Sequence, residues 1–207
     1  MRKNIFILVM VMLVSGCLPS HYDGYLHGVR YHDDAQVKLS DLVEAVHPIS
    51  MPNAPLKALI LPFAMSQDLA VRKDVARELT DIFRLTWLEQ QVFEVLEYDS
   101  SSAWPGLEPA LGMAWAKGAN ILISGNISQY FEGGATGRTS IALTVEIRWI
   151  PDNTLIWSAA QAGVLEGGLD KDYVVVRTTR RLPDNPVYAV MHSLATSMAD
   201  GFASHGL

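Results

Sequence analysis

Ile141-Ala142-Leu143-Thr144-Val145-Glu146-Ile147-Arg148-Trp149 alternates large apolar side chains with small or polar ones, residue by residue. A period of two belongs to a strand with one face in the core and the other turned away from it. Pro151-Asp152-Asn153 then supplies turn chemistry, and Leu155-Ile156-Trp157-Ser158 returns as the hairpin's partner strand. Upstream, Ala58-Leu59-Ile60-Leu61 is an unbroken apolar run, a buried strand that Pro62 ends because proline has no N–H to donate. Ser66 and Asp68 predict a helix start, and Val71, Val75, Leu79, Ile82, Phe83 and Thr86 continue at helical spacing to about Gln91. Phe93 to Tyr98 reads as a second strand, Glu108 to Lys117 as a second helix stopped by Gly118, and Asn120 to Tyr130 as a third strand. Pro186 opens a last helix, lined on one face by Val187, Val190, Met191, Leu194, Met198 and Phe202. The predicted fold is therefore α/β (α+β): a mixed sheet of about five strands, in the order β-α-β-α-β-β-β-α, with helices packed on it.

The chain has 207 residues and 49% hydrophobic composition, which suits one globular domain with extensions and excludes wholesale disorder. A formal charge of -6 argues against a nucleic-acid binder, whose domain is normally basic. The single cysteine rules out an internal disulfide and any multi-cysteine metal site.

That cysteine is Cys17. Before it stand Arg2 and Lys3, ten unbroken apolar residues from Ile5 to Val14, and then Ser15-Gly16. This is the basic, apolar and small-residue succession of a secretory signal. Ten residues make a helix of only about 15 Å, too short for a permanent membrane span. Val14-Ser15-Gly16-Cys17 resembles the bacterial lipobox. The resemblance implies diacylglycerol on the Cys17 sulfur, cleavage before it, and acylation (palmitate or a similar chain) of the new amino group. Leu18 rather than Asp follows, which favours the periplasmic face of the outer membrane. Cleavage removes Arg2 and Lys3, leaving 14 basic against 22 acidic groups and a charge of -8.

Residues 1–16 are thus expected to be a signal peptide, 17–56 a lipidated tether and 57–207 the periplasmic domain. The tether reading rests on Pro19, Gly24, Gly28, Pro48, Pro52 and Pro55 and on the lack of a sustained period, with a short helix predicted from Ser40 to Val46. About 38 residues reach at most about 130 Å, so reach does not exclude a partner across the peptidoglycan.

Several quoted strings occur in a telling order: Leu61-Pro62-Phe63 before a long helix; Phe93-Glu94-Val95-Leu96-Glu97; Ala116-Lys117-Gly118-Ala119-Asn120 leading to Ile123-Ser124-Gly125-Asn126-Ile127; and the hairpin from Pro151 to Ser158. Together they resemble the periplasmic α/β domain of the curli secretion lipoproteins. They are similar also to lipoprotein activators of cell-wall synthases, the Pel exopolysaccharide export lipoproteins and the amino-terminal domain of TolB. The resemblance covers about Lys57 to Gly206. It implies a non-enzymatic part of an envelope machine that assembles with copies of itself or with envelope proteins. The membrane-barrel activity of the curli exporter does not carry over. The connection from Tyr130 to Thr139 is too short for two membrane strands, and Tyr173-Val174-Val175-Val176 is flanked by Asp170, Lys171, Asp172, Arg177, Arg180 and Arg181.

For an enzyme the residues offer little. Cys17 is consumed by lipid, four histidines precede the patterned region, His205 lies near the end, and His192 sits beside an apolar helix stripe. No nucleophile elbow, zinc-protease or phosphate-loop motif occurs. Glu94 and Glu97 fall on opposite strand faces, Asp170 and Asp172 in a polar loop, and Gly133, Gly134 and Gly137 in a hairpin loop. His21, His27 and His32 lack ligand spacing, so no metal and no cofactor is expected. The stretch from Glu166 to Asn185 is read as a long loop whose Tyr173, Arg177, Arg180 and Arg181 form a contact for a subunit, a partner or an anionic glycan. A synthase activator is the alternative function, and a periplasmic hydrolase ranks last.

Overall fold

The computed structural model describes residues 30–46, 56–101, 103–134, 137–167, 170–172 and 177–205. Cys17, Tyr173 and the stretch Val174 to Val176 lie outside them. The chain forms two units, one of Met1–Asp34 with Leu169–Arg181 and a larger one of Ala35–Gly168 with Leu182–Leu207.

The larger unit is built on an eight-stranded mixed sheet. Its strands are β2 (Val37–Leu39), β3 (Val43–Val46), β4 (Lys57–Ile60), β5 (Ala64–Met65), β6 (Val95–Tyr98), β7 (Ile121–Phe131), β8 (Thr139–Trp149) and β9 (Thr154–Leu165). They lie in the order β2-β9-β8-β7-β4-β6, with β3 also on β9 and β5 on β7. β4 runs parallel to β6 and β7, while β7, β8 and β9 form an antiparallel meander. The helices are α1 (Arg72–Glu89), α2 (Leu107–Ala116) and α3 (Pro186–Ala203). The five strands and three helices expected from the sequence occur in the expected order, and β2, β3 and β5 add to them.

The unbroken apolar run of β4 now has its reason. A central parallel strand is covered on both faces, so it cannot alternate with polar residues. Ala58 and Ile60 enter the core beneath α1 and α3, whereas Leu59 and Leu61 meet Ala110 and Ala114 of α2 on the other face. α1 and α3 carry the larger core, in which Phe83, Trp87, Phe93, Trp157 and Phe202 form a chain of ring contacts.

Three local expectations are corrected. Ser66 and Asp68 do not cap α1: its cap is Val71, with no side-chain bond. The Ser66 hydroxyl donates instead to Asn126 Oδ1 at 3.0 Å, and Asp68 sits 3.7 Å from Arg72. Residues Ser40–Val46 are not a helix, because Val43–Val46 pairs antiparallel with β9. Seven residues nucleate a helix poorly, whereas β9 presents unpaired backbone that they satisfy. The Ser40 N–H donates to Ala162 O at 2.8 Å, and the Ala162 N–H donates back to Ser40 Oγ at 3.0 Å. The larger unit therefore includes the chain from Ala35 on. Glu44 reinforces this docking by accepting from the Trp157 indole at 2.9 Å and contacting His205 Nε2 at 2.9 Å.

The third correction concerns Glu166 to Asn185. This stretch contains β10 (Asp170–Asp172) and β11 (Arg177–Arg181), an antiparallel pair, and β11 runs parallel to β1 (Arg30–Asp34). A polar sequence without an apolar period gives no strand signal, and these strands are identified by their backbone pairing.

At the end of β6, Asp99 accepts from the hydroxyl and the backbone N–H of Ser101 and lies 3.1 Å from Lys117 Nζ. The Ser101 bonds first, and then Lys117, hold its carboxyl down to about 2. A depressed folded value means that the stabilisation is complete above the unfolded value near 3.9 and fades as pH falls toward 2. Asp99→Asn is therefore expected to cost about 1 kcal/mol at pH 7, on the scale of one ordinary hydrogen bond. The variant and parent unfolding curves should converge near pH 2.

Candidate functional site

From β4 the chain passes through α1 to β6 on one side and then back through α2 to β7 on the other. The connections thus diverge where β4 and β7 lie side by side. In open α/β sheets, ligands bind just beyond the carboxyl ends of strands at such a point.

Two adjoining cavities occupy that place. One, of about 220 Å³, is lined by Phe63, Met65, Arg72, Lys73, Ala76 and Ala103. The other, of about 170 Å³, is lined by Ser124, Gly125, Asn126, Thr144 and Glu146. Ala64 and Trp104 line both. The turn after β4 is held by Phe63, whose N–H donates to Thr80 Oγ1 at 2.8 Å. Gly125 is required beside it, since a Cβ there would lie 2.6 Å from the Phe63 ring.

The polar groups come from neighbouring strands in register, with Ser124 opposite Glu146 and Asn126 opposite Thr144. Ser124 is only 7% exposed, and its hydroxyl has no hydrogen-bond partner among the described residues. Glu146 is held by Arg148, whose Nη2 and Nε lie 3.0 and 3.2 Å away. Arg72 and Lys73 open the first turn of α1, where the amino-terminal dipole adds positive potential.

The imidazoles described in the larger unit lie elsewhere: His192 is 3.9 Å from Glu89 and stacks on Tyr188, and His205 contacts Glu44. The Tyr130 phenol is pushed far up by burial and by donating to Glu132, and Tyr98 is raised by burial and by Asp81, so both keep their protons at neutral pH. Glu97 pairs with Lys57 at 2.9 Å, so it forms no dyad with Glu94. Gly133 and Gly137 approach so closely that a Cβ at either would strike the other's backbone, which marks a turn. Among the described residues no three His, Cys, Asp or Glu side chains gather as metal ligands.

Of the residues singled out from the sequence, Arg177, Arg180 and Arg181 share β11, opposite Arg30, Asp33 and Asp34 of β1 in register. Trp104 and Ser124 escaped the sequence reading. The available signal was that the loops after two parallel strands converge, which places Leu61–Phe63 and the segment before α2 at one end of the sheet.

No protein-family model matches the chain, and no curated protein matches it. Solved structures do. The chain is similar to the PelC dodecamer from Paraburkholderia phytofirmans at 16% identity and a TM-score of 0.46, covering 83% of this chain and 96% of that one. It is similar to the LpoB C-terminal domain from Salmonella enterica at 12% identity and 0.30, covering 57% and 84%. A lipoprotein from Neisseria meningitidis aligns at 10% identity and 0.36, covering 72% and 99%. These neighbours fall in the lipoprotein group that the sequence resembles.

Proposed function

We propose that this chain is an outer-membrane lipoprotein, held at the periplasmic face through Cys17, that works as an assembling accessory of an envelope export or assembly machine and makes or breaks no bond. The observation that carries this reading is the outer face of α2. Its Leu107–Ala116 sequence has one charged residue, Glu108, and Trp115 on it is 67% exposed. One turn before it stands Gly112, exposed in mid-helix, where an added Cβ would meet nothing within 4 Å. Glycine there costs the isolated helix about 1 kcal/mol relative to alanine, with no packing reason inside the subunit. A small residue beside a bare tryptophan suits close approach by another body, and tryptophan is enriched at the centres of interfaces. The occupant that this reading assigns is a second copy, which gives the self-assembly expected of such a component.

Light scattering on protein beginning at Leu18 tests it. The expected result is a defined oligomer that Trp115→Glu reduces to monomer while circular dichroism stays unchanged. A stable monomer at high concentration defeats the assembling reading and favours a regulatory module that engages a synthase singly. Replacing Arg177, Arg180 and Arg181 together asks in the same assay whether the smaller unit contributes a contact.

A further inference from the structure

We infer that the cleft around Trp104 is a binding site for an acidic sugar, with its carboxylate at Arg72 and Lys73 and its hydroxyls at Ser124, Asn126 and Thr144. Several observations converge on that chemistry. The cleft lies where the fold diverges between β4 and β7, and its two cavities of about 220 and 170 Å³ adjoin through Ala64 and Trp104. The cations without a close carboxylate partner stand at one end. Lys73 has no ion-pair partner among the described residues, and Arg72 has only Asp68, 3.7 Å away and fully exposed, a pair that an incoming carboxylate displaces at small cost. α1 has no side-chain cap, so the positive end of its dipole is not offset there by a capping side chain, although the Arg72, Asp74 and Val75 N–H groups already donate to the Leu69 and Val71 carbonyls.

The other end is built for neutral polar groups. Ser124 is more than nine-tenths buried as a residue and lines the cavity, with its hydroxyl unbonded among the described residues and so open to a ligand hydroxyl. Asn126 retains its amide N–H donors, since its Oδ1 takes the Ser66 bond. Glu146 lies there too, paired with Arg148 at 3.0 Å, so this end offers an incoming carboxylate no unpaired cation. The polarity of the cleft therefore orients the ligand, acid toward α1 and hydroxyls toward β7 and β8. Between the ends stands a tryptophan, the side chain whose flat apolar face best covers a sugar ring while its rim stays polar. On a chain of net charge -6, such a local cationic end is a selective feature rather than a general attraction.

Titration of the protein beginning at Leu18 with a glucuronate disaccharide, followed by tryptophan fluorescence and calorimetry, tests this. Binding is expected, weaker by roughly tenfold for the matched neutral glucose disaccharide, which lacks the charge-assisted contact. Arg72→Gln with Lys73→Gln should remove that preference, and Trp104→Phe should remove the fluorescence change. Ser124→Ala should weaken both sugars alike. Equal binding of acidic and neutral sugars, undiminished binding by the double variant, or acetate and phosphate binding as tightly as the uronate each overturns the proposal. Arg72 and Lys73 are exposed at the start of a helix, so their variants keep the fold, and light scattering on them reads assembly through α2 separately.

Discussion

Trp87→Ala should lower the unfolding free energy by about 3–5 kcal/mol, the cost of emptying a large aromatic site in a core. Trp87 is completely buried. Its ring lies 4.6 Å from that of Phe83, 6.1 Å from Phe93 and 6.0 Å from Phe202, so it joins α1, the β6 approach and α3. Its indole N–H donates to the Ala195 carbonyl at 3.0 Å across 108 residues of sequence. Loss of the ring removes dispersion contacts on three sides, and the surrounding elements are too well braced by the sheet to collapse into the space. Trp87→Phe keeps most of the volume and loses the hydrogen bond, so it should cost less. Leu85→Ala, on the exposed face of the same helix, should stay within about 0.5 kcal/mol. Urea unfolding followed by far-ultraviolet circular dichroism measures all three. Equal effects at positions 85 and 87 would falsify the packing described for α1.

Cys17→Ser in the full-length chain is expected to move the protein from the membrane fraction to the soluble one. The physical basis is the number of chains. One acyl chain gives marginal, reversible membrane binding, and stable anchoring takes two or more, each buried CH₂ contributing about 0.8 kcal/mol. A thioether-linked diacylglycerol plus an amide-linked acyl chain exceeds that threshold. Serine leaves no thiolate for the thioether, so all the chains are lost together and the effect is all-or-none. Labelled palmitate followed by fractionation reads it directly. Retention of Cys17→Ser on membranes would remove the lipid from the proposed function and leave the α2 surface to be tested alone.

How much of this was legible beforehand depends on the range of the forces involved. The β8–β9 hairpin could be read because its alternation and its Pro151-Asp152-Asn153 turn are contained within 20 residues. The last helix could be read too, since Pro186 starts it and Asn185 caps it by accepting from the Tyr188 N–H at 2.8 Å. Ser40–Val46 misled because its local pattern suits a helix, while its partner, β9, lies more than 110 residues away. The polar strands β10 and β11 were invisible for the complementary reason: β11 pairs with β1, far away in sequence, and polar side chains carry no record of that. At the candidate site, Trp104 and Ser124 are unremarkable as neighbours in sequence, 20 positions apart.

By itself the sequence determined the succession of strands and helices, the meander, and which residues are apolar enough to form a core. Each of these follows from a period, a turn or a cap confined to a few residues. Tertiary structure alone decided that β4 would be central with a core on each face, that β9 would recruit β2 and β3, and that Trp104 would stand between Arg72 and Ser124. The reason is that a backbone N–H or C=O left unpaired on one strand can be satisfied by any strand of suitable reach. Which one satisfies it is settled only when every helix has found a face to cover.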